Sequence, residues 1–297
     1  MSSSSNDLLA DRRVAWARAM AREGDHAAAA DLLEQVVERV PGWAPGWAAL
    51  AEARERAGAP EAARAAWLRV AALDGAGTLG AEPHLARLEG RAVALPAPYL
   101  RALFDDYAPR FDRHLVEALG YDGPAVLLEG LARAAPGRRF AHALDLGCGT
   151  GLMGRALAGR AERIDGVDLS PAMVERARET GAYDGLAACS LEEALAGAGP
   201  GHYDLVTAAD VFVYLGDLGP VAAGIAAALA PGGLLAFTVQ LRDTGFALGP
   251  DMRFSHGEDH VAVALAAAGL RLALIEPAST RREAGRAVPG LVAVAAR

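Results

Sequence analysis

From Phe140 onward, short apolar runs alternate with stretches in which apolar residues recur every three or four positions. Runs of the first kind read as buried strands, and stretches of the second kind as amphipathic helices. Strands are predicted near 141–146, 163–168, 186–189, 203–209, 234–240, 271–277 and 289–296. Helices are predicted near 151–160, 171–179, 191–197, 218–230 and 259–268. Regular alternation of this kind predicts an α/β fold with a seven-stranded, mostly parallel sheet covered on both faces. Pro231-Gly232-Gly233 reads as a helix stop and turn. The last two strands are joined by the charged turn Arg281-Arg282-Glu283 and are expected to pair as an antiparallel hairpin.

Upstream the pattern changes. Residues 7–93 are alanine-rich and helical throughout, and they repeat. Gly24-Asp25 and Gly58-Ala59 stand 34 residues apart, and at the same offset Ala29 matches Ala63, Leu33 matches Trp67, Val36 matches Val70 and Pro41 matches Gly75. A 34-residue helix-turn-helix period is that of tetratricopeptide (TPR) repeats. The second unit, Trp47-x-x-Leu50-Ala51 followed by Ala63 and Trp67, resembles that pattern, with Arg54 in place of the usual tyrosine. Small residues let paired helices approach closely, and Trp67 fills the space between pairs. Two units are fewer than a stable stack needs, so Pro83–Val93 is read as a capping helix or the array leans on its neighbour. The segment is open to three roles: a plain helical scaffold, a self-association surface, or a peptide groove.

Pro96 and Pro98 mark a boundary, because spaced prolines favour extended chain. The expected domains are therefore 1–95 and 96–297. Within the second, 99–135 is a helical lid and 140–297 the α/β core. Leu100, Leu103, Phe104, Tyr107, Phe111, Leu115 and Leu119 recur at helical spacing, and Pro109 is placed to open a second helix. A further helix is expected over 125–134.

Composition narrows the chemistry. All 29 cationic residues are arginine, so no lysine Schiff base can form and pyridoxal-phosphate chemistry is excluded. A net charge of −8 argues against a nucleic-acid footprint. Two cysteines, Cys148 and Cys189, make neither a disulfide framework nor a four-cysteine zinc site, and no metal is expected. No signal peptide or charge-free apolar run of membrane length is evident, so the expected location is the cytoplasm and no membrane partner is anticipated.

The most specific stretch is Leu144-Asp145-Leu146-Gly147-Cys148-Gly149-Thr150-Gly151. It ends a predicted strand and turns toward a helix. Its G-x-G-x-G spacing is neither the dinucleotide G-x-G-x-x-G nor a phosphate loop, which needs a lysine. LDLGCGTG resembles the first motif of class I S-adenosylmethionine-dependent methyltransferases. The resemblance implies a Rossmann-like fold, with Gly147, Cys148, Gly149 and Gly151 packed against the methionine and ribose parts of the cofactor and Asp145 just before them. It also fits a bacterial subgroup in which TPR repeats precede the catalytic domain. That fit rests on Phe104-Asp105-Asp106-Tyr107-Ala108-x-x-Phe111-Asp112-x-His114-Leu115, on Asp210–Leu215, and on Arg282-Glu283-x-Gly285-x-x-Val288-Pro289-Gly290.

Ligands of open α/β sheets sit beyond the carboxyl ends of the strands. At the second such end, Gly166-Val167-Asp168-Leu169, the Asp168 carboxylate can accept both ribose hydroxyls; Ser170-Pro171 supplies the helix cap and leaves Asp168 free. At the third, the acid usual for adenine is missing, and Ser190-Leu191 stand in its place; Ser190 either bonds adenine or caps a helix. At the fourth, Asp210 faces cofactor or acceptor. Tyr107 and Phe111, one helical turn apart, either cover the cofactor or serve as core aromatics. Candidate catalytic residues are Asp210 and His256, the latter as a base titrating near neutrality or simply a surface residue; His260 is a weaker candidate of the same kind. Tyr214 and Arg253 are candidate acceptor contacts, and His26, His84 and His142 are assigned no role. The expected reaction is in-line methyl transfer to an oxygen or nitrogen of a small molecule. A protein acceptor captured by the helical repeats, and a SAM-binding regulator without turnover, are the alternatives.

Overall fold

The computed structural model describes residues 4–91, 93–113, 120–283 and 285–297. Contacts divide the chain into two compact units, one ending at Tyr99 and the other spanning Leu100–Arg297. The division falls four residues beyond the expected boundary because a helix runs across it. Of the lid residues read from the sequence, His114, Leu115 and Leu119 lie outside the described residues.

The N-terminal unit holds helices α1 (Leu8–Arg22), α2 (His26–Arg39), α3 (Ala44–Arg56), α4 (Pro60–Leu73) and α5 (Ala81–Leu88), each packed on the next. The Asp7 and Asp25 carboxylates cap α1 and α2, and proline occupies the first turn of α3 and α4. The residues that match at the 34-residue offset, Ala29/Ala63, Leu33/Trp67 and Val36/Val70, are all buried. All but Ala63 belong to the unit's shared apolar core, and α5 packs against α4.

Polar side chains brace this small core. The Trp67 indole N–H donates to Glu55 Oε1 at 2.6 Å, His84 Nδ1 lies 3.0 Å from the same oxygen, and Arg87 pairs with Oε2. The Trp67 and His84 rings stack at 4.0 Å. Burial alone would raise the Glu55 pKa, but the hydrogen bonds and charges of His84, Trp67 and Arg87 hold it below the ordinary value. His84 is thus a buried structural residue. Glu55→Ala would strand three donors and should cost about 2–4 kcal/mol. All four tryptophans (Trp16, Trp43, Trp47 and Trp67) lie in this unit, so tryptophan fluorescence in urea reads its unfolding alone. A midpoint unchanged from wild type would refute the bracing role.

Helix α6 (Ala97–Tyr107) runs across the division, and α7 (Gly123–Ala134) follows in the second unit. It continues through β1 (Phe140–Leu146), α8 (Leu152–Leu157), β2 (Ala161–Asp168), α9 (Pro171–Glu179), β3 (Gly185–Ala188), α10 (Leu191–Gly197), β4 (Tyr203–Ala208), α11 (Gly219–Ala228) and β5 (Leu229–Leu241). It closes with β6 (Phe246–Leu248), β7 (Phe254–His256), α12 (Glu258–Ala267), β8 (Arg271–Ala278), β9 (Arg282–Glu283), β10 (Arg286–Ala287) and β11 (Gly290–Ala296). The main sheet runs β3-β2-β1-β4-β5-β11-β8. Neighbours are parallel from β3 to β5, and β11 is antiparallel to both β5 and β8. The closing antiparallel pair is as expected, with β11 inserted between β5 and β8.

Two features differ from the sequence reading. β5 begins at Leu229, so Pro231-Gly232-Gly233 is an irregularity inside a long strand rather than a full stop. Gly232 N–H donates to the Arg297 carbonyl, which keeps the bulged segment in the sheet. The short β6 and β7 were not anticipated; β7 pairs in parallel with the end of β5 and β6 antiparallel with β7, so both join the same sheet. Apolar cores lie on both faces. One gathers Leu144, Leu146, Val206, Ile225, Leu235 and Leu265, and the other Leu127, Leu131, Ala143, Leu157, Ile164 and Val292. Burial on both faces is what a near-continuous apolar strand pattern encodes.

Candidate functional site

Because β3, β2, β1 and β4 are adjacent and parallel, their carboxyl ends open on one crevice. The loop after β1 forms its floor. Gly147, Gly149 and Gly151 have φ of 65°, 52° and 90°, a region that L side chains rarely adopt. A Cβ on Gly147 would lie 2.5 Å from Val211, whereas one on Gly149 would meet only the Phe111 ring edge at 4.0 Å. The first glycine is therefore imposed by packing. The second leaves open space beside the turn, as a backbone that must approach a ligand requires. Cys148 is buried, its N–H bonded to the Val167 carbonyl, and burial pushes its thiol up, so it acts as a small packing residue.

Asp168 ends β2 beside this opening. Its Oδ2 accepts from the Gly149 N–H at 3.0 Å and its Oδ1 from the Ser170 N–H at 2.9 Å. Burial raises its pKa to about 6 despite those two bonds. A carboxylate has about four acceptor positions, so two remain for hydroxyl groups in the crevice. Leu169 follows at the rim, and its carbonyl accepts from Arg101 at 3.2 Å.

Three candidates have side chains engaged elsewhere. Asp145 is 1% exposed; Tyr183 OH donates to its Oδ2 at 2.7 Å and Thr207 Oγ1 to its Oδ1 at 2.9 Å. Burial pushes its pKa up to about 7. Its carboxylate braces the sheet beneath the turn and does not reach the crevice. Ser190 accepts from the Glu193 N–H while Glu193 returns a bond to the Ser190 N–H, a full capping box, so its Oγ caps α10; Leu191 packs on the core at the start of that helix. His256 is fully buried, with Nε2 at 2.9 and 3.1 Å from the carbonyls of Leu215 and Gly216. Burial drives its pKa down to about 4. It is a neutral donor that ties β7 to the segment after β4, which corrects its reading as a base in the crevice or a surface residue. His260 accepts weakly from the Leu218 N–H at 3.4 Å.

Asp210 occupies a strained position, φ 56°, just after β4. Thr280 Oγ1 donates to its carboxylate at 2.8–2.9 Å, Thr238 Oγ1 lies at 3.0 Å, and the buried Arg281 guanidinium at 3.4 Å. It links the ends of β4 and β5 to the segment after β8. Beside it, Arg253 lies 3.4 Å from Tyr214 OH and 3.5 Å from Glu283, and Phe104 packs edge-on against Tyr214. Tyr214 and Arg253, read from the sequence as candidate acceptor contacts, thus lie against each other.

The lid segment is anchored at two loops. Asp105 accepts from Ser170 Oγ at 2.5 Å, and Asp112 accepts from Thr150 Oγ1. Tyr107 and Phe111 pack edge to face at 5.0 Å, and the Phe111 ring edge faces the open side of Gly149. Tyr183, not picked out in the sequence, is the central brace of the floor. Its ring fills a slot where a Cβ on Gly154 or Gly166 would lie 2.3 or 2.7 Å away, and its hydroxyl accepts from the Gly154 N–H.

Fold and crevice together define a Rossmann-like α/β domain whose strand ends suit a nucleoside-bearing cofactor. Residues 144–235 match a family model described as a methyltransferase domain. The human methyltransferase-like protein 27 is 35% identical over 105 residues, covering 35% of this chain and 42% of that protein. A ubiquinone biosynthesis O-methyltransferase of Burkholderia cenocepacia is 34% identical over 109 residues, covering 34% and 45%. The chain thus spans under half the length of these curated relatives. Among solved structures, the 4+2 cyclase SpnF aligns with a TM-score of 0.58 at 18% identity, over 69% of this chain and 97% of that one. A complex of the Haloferax volcanii Trm112 methyltransferase activator with a putative methyltransferase aligns at 0.51 and 21% identity, over 65% and 96%. Those two likenesses are of fold. The chain carries a methyltransferase domain, and the cofactor of that domain is S-adenosylmethionine. Among the described residues no helix is long and apolar enough to cross a membrane.

Proposed function

We propose that the protein transfers the methyl group of S-adenosylmethionine to a small-molecule acceptor. The observation that carries this is the open side of Gly149 beside Asp168, at the switch point of the sheet. When bound, the cofactor supplies a methyl group on a sulfonium, already activated for in-line displacement. This chain's part is to hold and orient. Gly147, Gly149 and Gly151 give backbone that passes close to the ligand, and Asp168 accepts the ribose hydroxyls. Tyr107 and Phe111 exclude water from above, while Leu169 and Leu191 lie along the nucleoside side.

Alignment, rather than proton abstraction, is the main contribution of the acceptor wall. Asp210 is held by Thr238, Thr280 and Arg281 and acts by fixing the wall; His256 serves the same wall from behind. An acceptor oxygen fits the relatives named as O-methyltransferases of ubiquinone biosynthesis. The N-terminal helices, TPR-like in period, act as a self-association or partner surface.

Incubating the full chain with methyl-labelled S-adenosylmethionine and a lysate of the source organism tests the proposal. Label should appear in the small-molecule fraction. Label confined to protein would instead support capture of a protein acceptor by the helical repeats. Tight cofactor binding with no transfer to any fraction would leave a non-catalytic binder.

A further inference from the structure

At the other end of the strands from the crevice lies a cluster that the methyl-transfer reading does not use. His142 sits near the start of β1, Asp165 on the neighbouring β2, and His202 in the turn that leads into β4. His142 Nε2 is 2.8 Å from Asp165 Oδ2, and the ligating atoms of all three residues lie within 4.8 Å of one another. The His142 and His202 rings are 4.8 Å apart, and Tyr203 packs against both.

We propose that His142, Asp165 and His202 form a binding site for a divalent late transition metal ion such as Zn²⁺. Two imidazole nitrogens and one carboxylate oxygen are donors that favour Zn²⁺, Co²⁺ or Ni²⁺ over Mg²⁺ or Ca²⁺. Bonds of about 2.0–2.1 Å in a tetrahedral site put ligand atoms roughly 3.3 Å apart. The three atoms need only small side-chain movements to reach that spacing. The His142–Asp165 pair opens slightly as the ion replaces the proton between them, and the exposed His202 closes in. A water completes the four-coordinate set.

The surroundings hold the donors in place. Tyr203 OH lies 3.4 Å from Asp165 Oδ2, and Arg163 3.4 Å from Oδ1. Asp165 Oδ1 fills the space a Cβ on Gly185 would take, so the glycine at the start of β3 makes room for the carboxylate. Arg163 is half-exposed and free to swing away as the ion neutralises Asp165. The three ligands come from three separate segments of the chain, so a bound ion would clamp β1, β2 and the entry to β4. Gly147 lies five residues beyond His142, roughly 16 Å along the strand direction, and Asp168 three residues beyond Asp165, roughly 10 Å, so the clamp is separate from the cofactor crevice.

The test is calorimetric titration of the untagged full chain with Zn²⁺, Co²⁺ and Mg²⁺ at pH 7.5. One equivalent of Zn²⁺ should bind, Co²⁺ should give a tetrahedral visible spectrum, and Mg²⁺ should not bind. Zn²⁺ should also raise the thermal midpoint by several degrees, since an ion that binds only the folded chain stabilises it. His202→Ala, at an exposed turn, should fold normally, keep its S-adenosylmethionine affinity, and lose at least tenfold in Zn²⁺ affinity together with the thermal shift. Asp165→Asn should lose as much. Absence of saturable Zn²⁺ binding would overturn the site, as would Zn²⁺ binding undiminished in both variants. Neither result would touch the methyl-transfer reading, whose readout is cofactor affinity and label transfer.

Discussion

Replacing Asp168 with alanine is expected to weaken S-adenosylmethionine binding by some 30- to 1,000-fold. Two hydrogen bonds from ribose hydroxyls to a carboxylate account for about 1–3 kcal/mol of that loss. The structure adds a second contribution. Asp168 also accepts from the Gly149 and Ser170 N–H groups, so alanine frees the turn that must lie against the ligand. Asp168→Asn separates the two: the amide oxygen can still hold one N–H, but it lacks the charge that strengthens bonds to the hydroxyls. Its affinity should fall between alanine and wild type. Burial holds the Asp168 pKa near 6 in the free protein, so wild-type affinity should also rise between pH 5 and 7 as the acceptor ionises, and the asparagine variant should lack that rise. Calorimetric titration reads all three. Equal affinity in wild type and Asp168→Ala would end the ribose assignment.

The order of elements and the crevice floor were legible because both are written locally. Apolar runs and helical periods mark the strands and helices, and Gly147-Cys148-Gly149-Thr150-Gly151 marks a turn that only glycine-rich chain can make. Which partner each side chain takes was not legible, since that depends on distant residues. Asp145 reads as part of the cofactor motif, yet Tyr183 and Thr207, 38 and 62 residues away, turn its carboxylate inward. His256 reads as a base near the acceptor, yet the strand β7 buries it against two carbonyls. For Ser190 the local signal was complete: serine followed three residues later by Glu193 is a capping box, and it outweighs an adenine contact. Tyr183 left no periodic trace because it sits in a turn, and the glycines that make its slot, Gly154 and Gly166, belong to other elements.

The second large effect expected is on the pH dependence of stability, through Asp145. In the unfolded chain this carboxyl ionises near 3.8, whereas burial in the folded domain raises its pKa to about 7. Between those values the native state holds the extra proton, so ν_U − ν_N is negative and unfolding free energy falls as pH rises. The loss is complete once pH passes about 7, and it amounts to a few kcal/mol at most. Asp168, raised to about 6, adds a smaller decline of the same sign that ends at lower pH. Asp145→Asn cannot ionise and should flatten the curve. At pH 5 the variant should be the less stable protein, by about 1 kcal/mol, because the amide nitrogen cannot accept the bond that Tyr183 or Thr207 donates. At pH 8 the order should narrow or reverse, because wild type then carries a buried charge and the variant does not. Circular dichroism in urea is the readout, since all four tryptophans lie in the N-terminal unit and do not report on the sheet. Parallel stability curves for the two proteins from pH 5 to 8 would show that Asp145 is already ionised in the native state across that range, with the Tyr183 and Thr207 hydrogen bonds offsetting most of the penalty of burial.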